Sequence, residues 1–310
     1  MNVVYIICTN VGRAIIKAHL KYHPKIKISC IYTLTPLKAI SKSNYDNCLD
    51  LALENNINHR FVDKINDPVV LKEIKKQNPN IIIQSGWSQK FSDKLLNIPT
   101  HGCIGEHPSP IPRGRGAASV NWAIINGEKN WGDSFFIMNS EYDAGPVISQ
   151  KKFNINDLDD VKLVYDKVAL NSFMVIKENL SDWCRGIFDY PDLSKNIPCY
   201  FKRRYPEDGL IKQSMSVSQQ LKFVRALTHP YPGAFFRFKK EKILVWKAKK
   251  INSKEVKDKL KKLEGNIFLS NENFILLKAK CGNFLKPIIV ESSYIPKVQN
   301  KTFVKEFIKK

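Results

Sequence analysis

The sequence predicts an α/β protein: a doubly wound, mostly parallel sheet over residues 1–200, joined to a smaller β-barrel domain over residues 201–310. Three observations predict it. Through the first half, short β-branched runs alternate with stretches that carry apolar residues at helical spacing, and that alternation implies βαβ units. One of the runs, PNIIIQSG from Pro79 to Gly86, is apolar through its centre, as a strand covered on both faces must be. Through the last third, short alternating runs separated by turn residues suit a small barrel or sandwich.

Taken in order, Val3 to Cys8 reads as the first strand, and RAIIKAHLKYH (13–23) follows it as a helix. KISCIYTL (27–34) is a strand, CLDLALENNI (48–57) and PVVLKEIKKQN (68–78) are helices, and PNIIIQSG is the next strand. Gly102 to Gly105 forms a further strand that opens into EHPSPIPRGRG. SVNWAIING (119–127) is a helix closed by Gly127, where a left-handed cap needs a residue without Cβ. DSFFIM (133–138) is an aromatic strand expected to deliver NSEYDAG to the edge that carries His107. A long helix covers 161–180, and SKNIPCYFKRRYPED (194–208) has the texture of a linker. Beyond it come a helix (216–229), the turn PYPG and the runs AFFRFKK, KILVWKA, GNIFLS, FILLKAK and LKPIIVE. In a doubly wound, Rossmann-like sheet, ligands sit beyond the carboxyl ends of the strands, so the loops after Ser85 and Gly105 are where function is expected.

With 310 residues and 43% hydrophobic residues, the chain can bury a large core, which excludes a disordered class. MNVVYIICTN has no basic leader, and its apolar run is short for a signal peptide or a spanning helix, so a soluble cytoplasmic protein is expected. The seven cysteines contain no CxxC pair and are odd in number, which argues against a disulfide framework. Cys103 reads as core packing. Neither HExxH nor HxE…PCxxC is present, so no metal is expected. Net charge is +21, and residues 201–310 hold 26 Lys/Arg against 9 Asp/Glu. That excess attracts anionic partners, although the richness in Lys, Asn and Ile extends along the whole chain.

The chemistry concentrates between Gly105 and Gln150. Alternation along GCIGEH puts Gly105 and His107 on one face and Glu106 on the other. A histidine at a strand's open end suits a general base or acid, and equally suits a structural role. Asp143 follows 36 residues later in YDAG. A carboxylate beside an imidazole would orient it and favour its charged form; the plainer reading is an ordinary Asp-Gly turn.

His107, Ser109-Pro110-Ile111-Pro112, Arg115-Gly116-Ala117-Ala118, Asn121-Trp122-Ala123-Ile124 and Asp143-Ala144-Gly145 follow one another in an order and spacing that resembles the formyltransferases using N10-formyltetrahydrofolate. That family includes methionyl-tRNA formyltransferase and the sugar N-formyltransferases. RRYPEDGLI and VRALTHPYPGAF resemble the junction to the family's OB-like C-terminal domain. The resemblance implies a catalytic pair, His107 and Asp143, and a formyl donor whose pterin lies against Gln89, Lys90, Phe91 and the segment Asn139, Ser140, Glu141, Tyr142 and Asp143. It also implies an acceptor entering by Thr9, Arg203 and Arg204, where arginine forks would grip a diphosphate. Core packing remains the alternative for Phe91, and linker charge for the two arginines. One position departs: Gly105 stands where the family usually has an asparagine. Losing such an oxyanion donor costs about 3 kcal/mol in other enzymes, which leaves open an inactive folate- or nucleotide-binding protein. The stretch 33–57 lacks the long basic insertion of the tRNA enzymes. The resemblance therefore implies a nucleotide-linked amino sugar as acceptor, with initiator tRNA as the alternative partner.

Overall fold

Apolar runs between amphipathic helices build the expected sheet. The computed structural model describes residues 1–40, 42–194, 197–256 and 260–308. They form two compact units, one of residues 1–119, 130–154 and 164–202, the other of 120–129, 155–163 and 203–310.

The first unit begins with β1 (Asn2–Ile7), α1 (Asn10–Tyr22), β2 (Lys27–Thr33), α2 (Pro36–Ala39), α3 (Leu49–Glu54), β3 (His59–Phe61), α4 (Pro68–Lys76), β4 (Ile81–Ser85) and α5 (Asp93–Leu96). It continues through β5 (Cys103–His107), β6 (Arg113–Gly116), α6 (Ser119–Asn126), β7 (Asn130–Ile137), β8 (Val147–Asn154), α7 (Val161–Trp183) and β9 (Cys199–Phe201), with α6 and α7 straddling the boundary between the units. Seven strands join in the order β3-β2-β1-β4-β5-β7-β8, with β1 to β5 parallel. β7 and β8 run antiparallel. β6 and β9 form a separate parallel ribbon.

Each face of the sheet is covered. Val4, Ile6, Cys8, Ile82 and Cys103 pack against Ile74, Trp87, Phe91 and Leu95. On the other face the buried His19 of α1 accepts at Nδ1 from the Tyr5 hydroxyl (2.7 Å) and donates from Nε2 to the Ile26 carbonyl (2.8 Å). Burial lowers the His19 pKa to about 4, which keeps it neutral. Phe135 meets Trp183 there, with ring centroids 5.4 Å apart.

Three features differ from the expectation. The stretch 194–208 contains β9, so part of the predicted linker is ordered strand. PVISQKKFN contributes β8, an unforeseen edge strand whose outer half is exposed. β7 is antiparallel to β5 and ends opposite Ile104, so Asp143 does not simply emerge at the open end of β5. The Met138 N–H instead bonds the Cys103 carbonyl (2.8 Å) at the start of β5, and the following loop runs back along that strand.

The second unit opens with α8 (Val217–Leu227), whose first turn is closed by a Ser216–Gln219 capping box. An antiparallel, curled half-barrel sheet follows, from β10 (Ala234–Phe238), β11 (Glu241–Ile251), β12 (Lys261–Glu264), β13 (Ile267–Leu269), β14 (Ile275–Lys278) and β15 (Phe284–Glu291), with the short β16 (Val298–Gln299) beside β15. The buried Asn300 bonds the backbone of Ile275 and Pro287, which ties the C-terminal helix α9 (Asn300–Phe303) to the sheet. Among the described residues, no helix is long and apolar enough to cross a membrane.

Candidate active site

His107 ends β5, and Pro108 behind it cannot donate to the ladder. Its imidazole is almost sealed in, with 11% of the side chain exposed. Nε2 lies 2.9 Å from the Gly114 carbonyl, which can only accept, so that nitrogen carries the hydrogen. Nδ1 faces the carboxylate of Asp143, 3.7 Å from its Oδ2. Asp143 sits at φ +51°, a left-handed conformation that costs a residue with a Cβ and is typical of sites where function fixes the backbone. Its Oδ2 accepts from the Gly116 N–H at 3.0 Å. Gly116 has φ +90°, and a Cβ there would stand 2.5 Å from the Phe201 carbonyl oxygen, so the RGRG turn holds both members of the pair only with glycine at this place.

The loop between His107 and Gly114 is pinned from below by residues that pattern reading did not single out. The Trp131 indole N–H (2.8 Å) and the Ser119 hydroxyl (3.1 Å) both donate to the Pro108 carbonyl. Ser134 donates to the Ser109 carbonyl (2.6 Å) and accepts from the Ile111 N–H (3.1 Å). Gln150 donates to both Ser134 Oγ and the Ile111 carbonyl. The one sequence signal was polarity: a serine and a glutamine stand where apolar residues would suffice for strand packing.

Gly105 shares the face of His107, and its slot is filled from the neighbouring strand. A Cβ at 105 would lie 2.6 Å from Cζ of the buried Phe136. On the opposite face Glu106 and Asp133 form a buried acid pair. Ser85 donates to Glu106 (2.6 Å) and Ser172 to Asp133 (2.5 Å), while the second oxygen of each carboxyl has no other donor. Burial pushes the Glu106 pKa up, and burial followed by the charge of Glu106 pushes Asp133 up. Both carboxyls therefore keep their protons to higher pH than a solvated carboxylate does.

Of the residues expected at the donor side, the structure brings Lys90 to Tyr142, with Nζ 5.9 Å from the ring centroid, so the loop after β4 meets the loop before Asp143. Tyr142 is 60% exposed. Ser140 and Glu141 are exposed as well, and Asn139 accepts from the Glu141 N–H in a local turn. Gln89 is spent inside the protein on Ile65 and Asp63, and Phe91 is core. Trp87, in the same loop, is core as well, and its indole N–H is buried without an acceptor. Lys90 and Tyr142 are thus the two expected donor-side residues whose side chains the structure brings together; no cluster of metal-ligating side chains occurs among the described residues.

Of the residues expected at the acceptor side, Thr9 caps α1 through the Gly12 N–H (3.5 Å), and its side chain fills the space over Gly86. Arg204 belongs to the second unit, where it is half-buried between Trp122 (4.8 Å) and Phe223 (5.1 Å). Burial lowers its pKa. Arg203, in the same unit, is exposed.

The chain matches two family models, Formyl transferase over residues 3–178 and Formyl transferase, C-terminal domain, over residues 204–305. It is 30% identical over 72% of its length to the bifunctional polymyxin resistance protein ArnA of Wigglesworthia glossinidia brevipalpis, and spans 34% of that protein. It is 28% identical to the methionyl-tRNA formyltransferase of Thermodesulfovibrio yellowstonii over 69% of each chain. The crystal structure of an N-formyltransferase from Helicobacter canadensis, in complex with folinic acid and dTDP-3-aminofucose, superposes with a TM-score of 0.65 at 16% identity, covering 96% of this chain and 99% of that one. With both family models matched in order along it, and with His107 and Asp143 meeting at the end of β5, the chain belongs to the formyl transferase family.

Proposed function

We propose that the protein transfers a formyl group from N10-formyltetrahydrofolate to the amine of a nucleotide-linked amino sugar. The observation that carries the reading is the His107–Asp143 pair, with Nε2 held by the Gly114 carbonyl and Nδ1 turned to the carboxylate. When bound, the donor supplies the formyl carbon. The attacking amine loses a proton as its bond to that carbon forms, and Nδ1 of His107 is placed to hold it. Asp143 then faces an imidazolium and stabilises it, and the same proton can be returned to the leaving nitrogen. The closed loop around Pro108 keeps water from Nε2 and holds the ring in this orientation.

A sugar acceptor is supported by the segment between β2 and β3. Its acids Asp46 and Asp50 both pair with Arg13, so this stretch presents neutralised charge rather than a basic wedge for an RNA stem. The basic stretch 201–310 and the methionyl-tRNA formyltransferase relative favour initiator tRNA as the second reading. A transfer assay with the formyl donor against a panel of nucleotide-linked amino sugars and charged initiator tRNA separates the two. His107→Asn is expected to abolish turnover while folinic acid still binds within about twofold. Turnover by that variant at the wild-type rate removes the histidine from the mechanism, and folate binding without transfer to any amine leaves a binding protein.

A further inference from the structure

Arg115 lies between the two residues that clamp the catalytic pair, because Gly114 receives the hydrogen of His107 and Gly116 donates to Asp143. Its side chain pairs across the β6–β9 ribbon with Tyr200. Nη1 donates to the Tyr200 hydroxyl at 3.1 Å, and the guanidinium carbon stands 5.6 Å from the ring centroid. Among the described residues no carboxylate pairs with it, and its Nε is buried without a partner. Arg13 pairs with Asp46 and Asp50, Arg185 with Asp182, and Arg225 with the carbonyls of Asn156 and Asp159; Arg204, whose Nε is also buried without a partner, lies in the second unit against Trp122 and Phe223. A half-buried guanidinium with an orphaned donor, beside a candidate active site, implies an anion that arrives with a ligand.

The donor set indicates which anion. Tyr200 accepts from Nη1, so its own hydroxyl hydrogen is available to donate, and the ring is 61% exposed. Together with Nη2 this sets a hydroxyl donor beside the charged edge of a guanidinium, a combination that suits a phosphoryl group. The flank matters as well. Lys90 and Tyr142 meet on the loops after β4 and β7, next in sequence to Asp143, whereas Arg115 and Tyr200 come from the ribbon. We propose that Arg115, steadied by Tyr200, anchors a phosphoryl group of the acceptor next to the His107–Asp143 pair. The word acceptor rests on the proposed function; the anion site itself does not.

The test is equilibrium binding by titration calorimetry, using pyrophosphate, dTDP, and folinic acid carrying either one or six glutamates. Arg115→Gln is expected to weaken pyrophosphate and dTDP by about tenfold or more, with monoglutamyl folinic acid unchanged. Arg115→Lys keeps the charge but not the fork and should fall between, and Tyr200→Phe should weaken both phosphates by about threefold. Unchanged phosphate affinity in Arg115→Gln overturns the proposal. So does a loss confined to the hexaglutamyl compound, which would give the anion to the donor's tail. If Arg115→Gln fails to fold by circular dichroism, the other two variants decide by the same criterion. Failure of formyl transfer to every nucleotide sugar, with dTDP affinity still dependent on Arg115, would sink the acceptor reading and leave the anion site standing.

Discussion

Gly105 and Phe136 fill one space between them, and neither can be understood alone. The backbone at 105 does not require glycine, since its φ is not in the left-handed region; the phenyl ring requires it. Gly105→Ala should therefore destabilise the fold by about 1–3 kcal/mol through overpacking. Phe136→Ala alone should cost about 3–5 kcal/mol through the cavity it leaves. The double variant should be less destabilised than the sum of the two, and urea denaturation of all four proteins reads the coupling directly. Strict additivity would mean that the ring does not set the residue at 105. The departure at 105 was visible in the sequence as a missing asparagine. Its cause was not, because a ring arriving from a neighbouring strand leaves no local pattern.

At the level of elements, β5 and β7 place a buried acid pair on the face of the sheet opposite His107. Glu106 and Asp133 are both pushed above the usual carboxylate range, Glu106 by burial and Asp133 by burial and then by Glu106. Above the ordinary glutamate value of 4.5 the unfolded chain releases the proton that the folded chain keeps. Their contribution is thus complete in acid and declines as pH rises toward the folded-state values. Glu106→Gln can still accept from Ser85 and donate to Asp133. It should flatten the fall of the urea midpoint between about pH 5 and pH 8, with the two proteins converging at the acid end. A parallel decline in both would show that the pair is not the source. Strand alternation already turned Glu106 away from His107. Its partner depended on the antiparallel register of β7, which apolar runs do not reveal. The same limit hid Ser134 and Gln150, whose role comes from the loop above them and not from their own strands. The expected His107–Asp143 meeting is realised, by a loop that doubles back along β5 instead of by parallel strand ends.

For the whole molecule, the alternating half and the β-rich third were legible because burial on one or two faces imposes period and length on the sequence. The β6–β9 ribbon was not, since stretches as far apart as Arg113–Gly116 and Cys199–Phe201 pair through backbone groups that every residue carries. Composition speaks most plainly as charge. An excess of 17 positive charges over residues 201–310 predicts that any RNA binding is independent of sequence and confined to low ionic strength. Initiator tRNA should then inhibit sugar formylation no more than an unrelated RNA of equal length. Inhibition by either should vanish between about 50 and 200 mM salt, as counterion release demands. Selective, salt-resistant inhibition by initiator tRNA would move the acceptor assignment to that RNA.

The same ribbon makes the N-terminal half harder to excise than its family match implies. A fragment ending at residue 178 would keep every strand of the large sheet but lose Cys199–Phe201. Those residues hold the loop on both sides of Arg115, the Cys199 N–H bonding the Pro112 carbonyl and the Phe201 carbonyl receiving the Ala117 N–H. Such a fragment would keep the strands but lose Trp183 from against Phe135 and leave a slack mouth. A chimaera between relatives needs its crossover downstream of Phe201 to carry the chemistry along with the sheet.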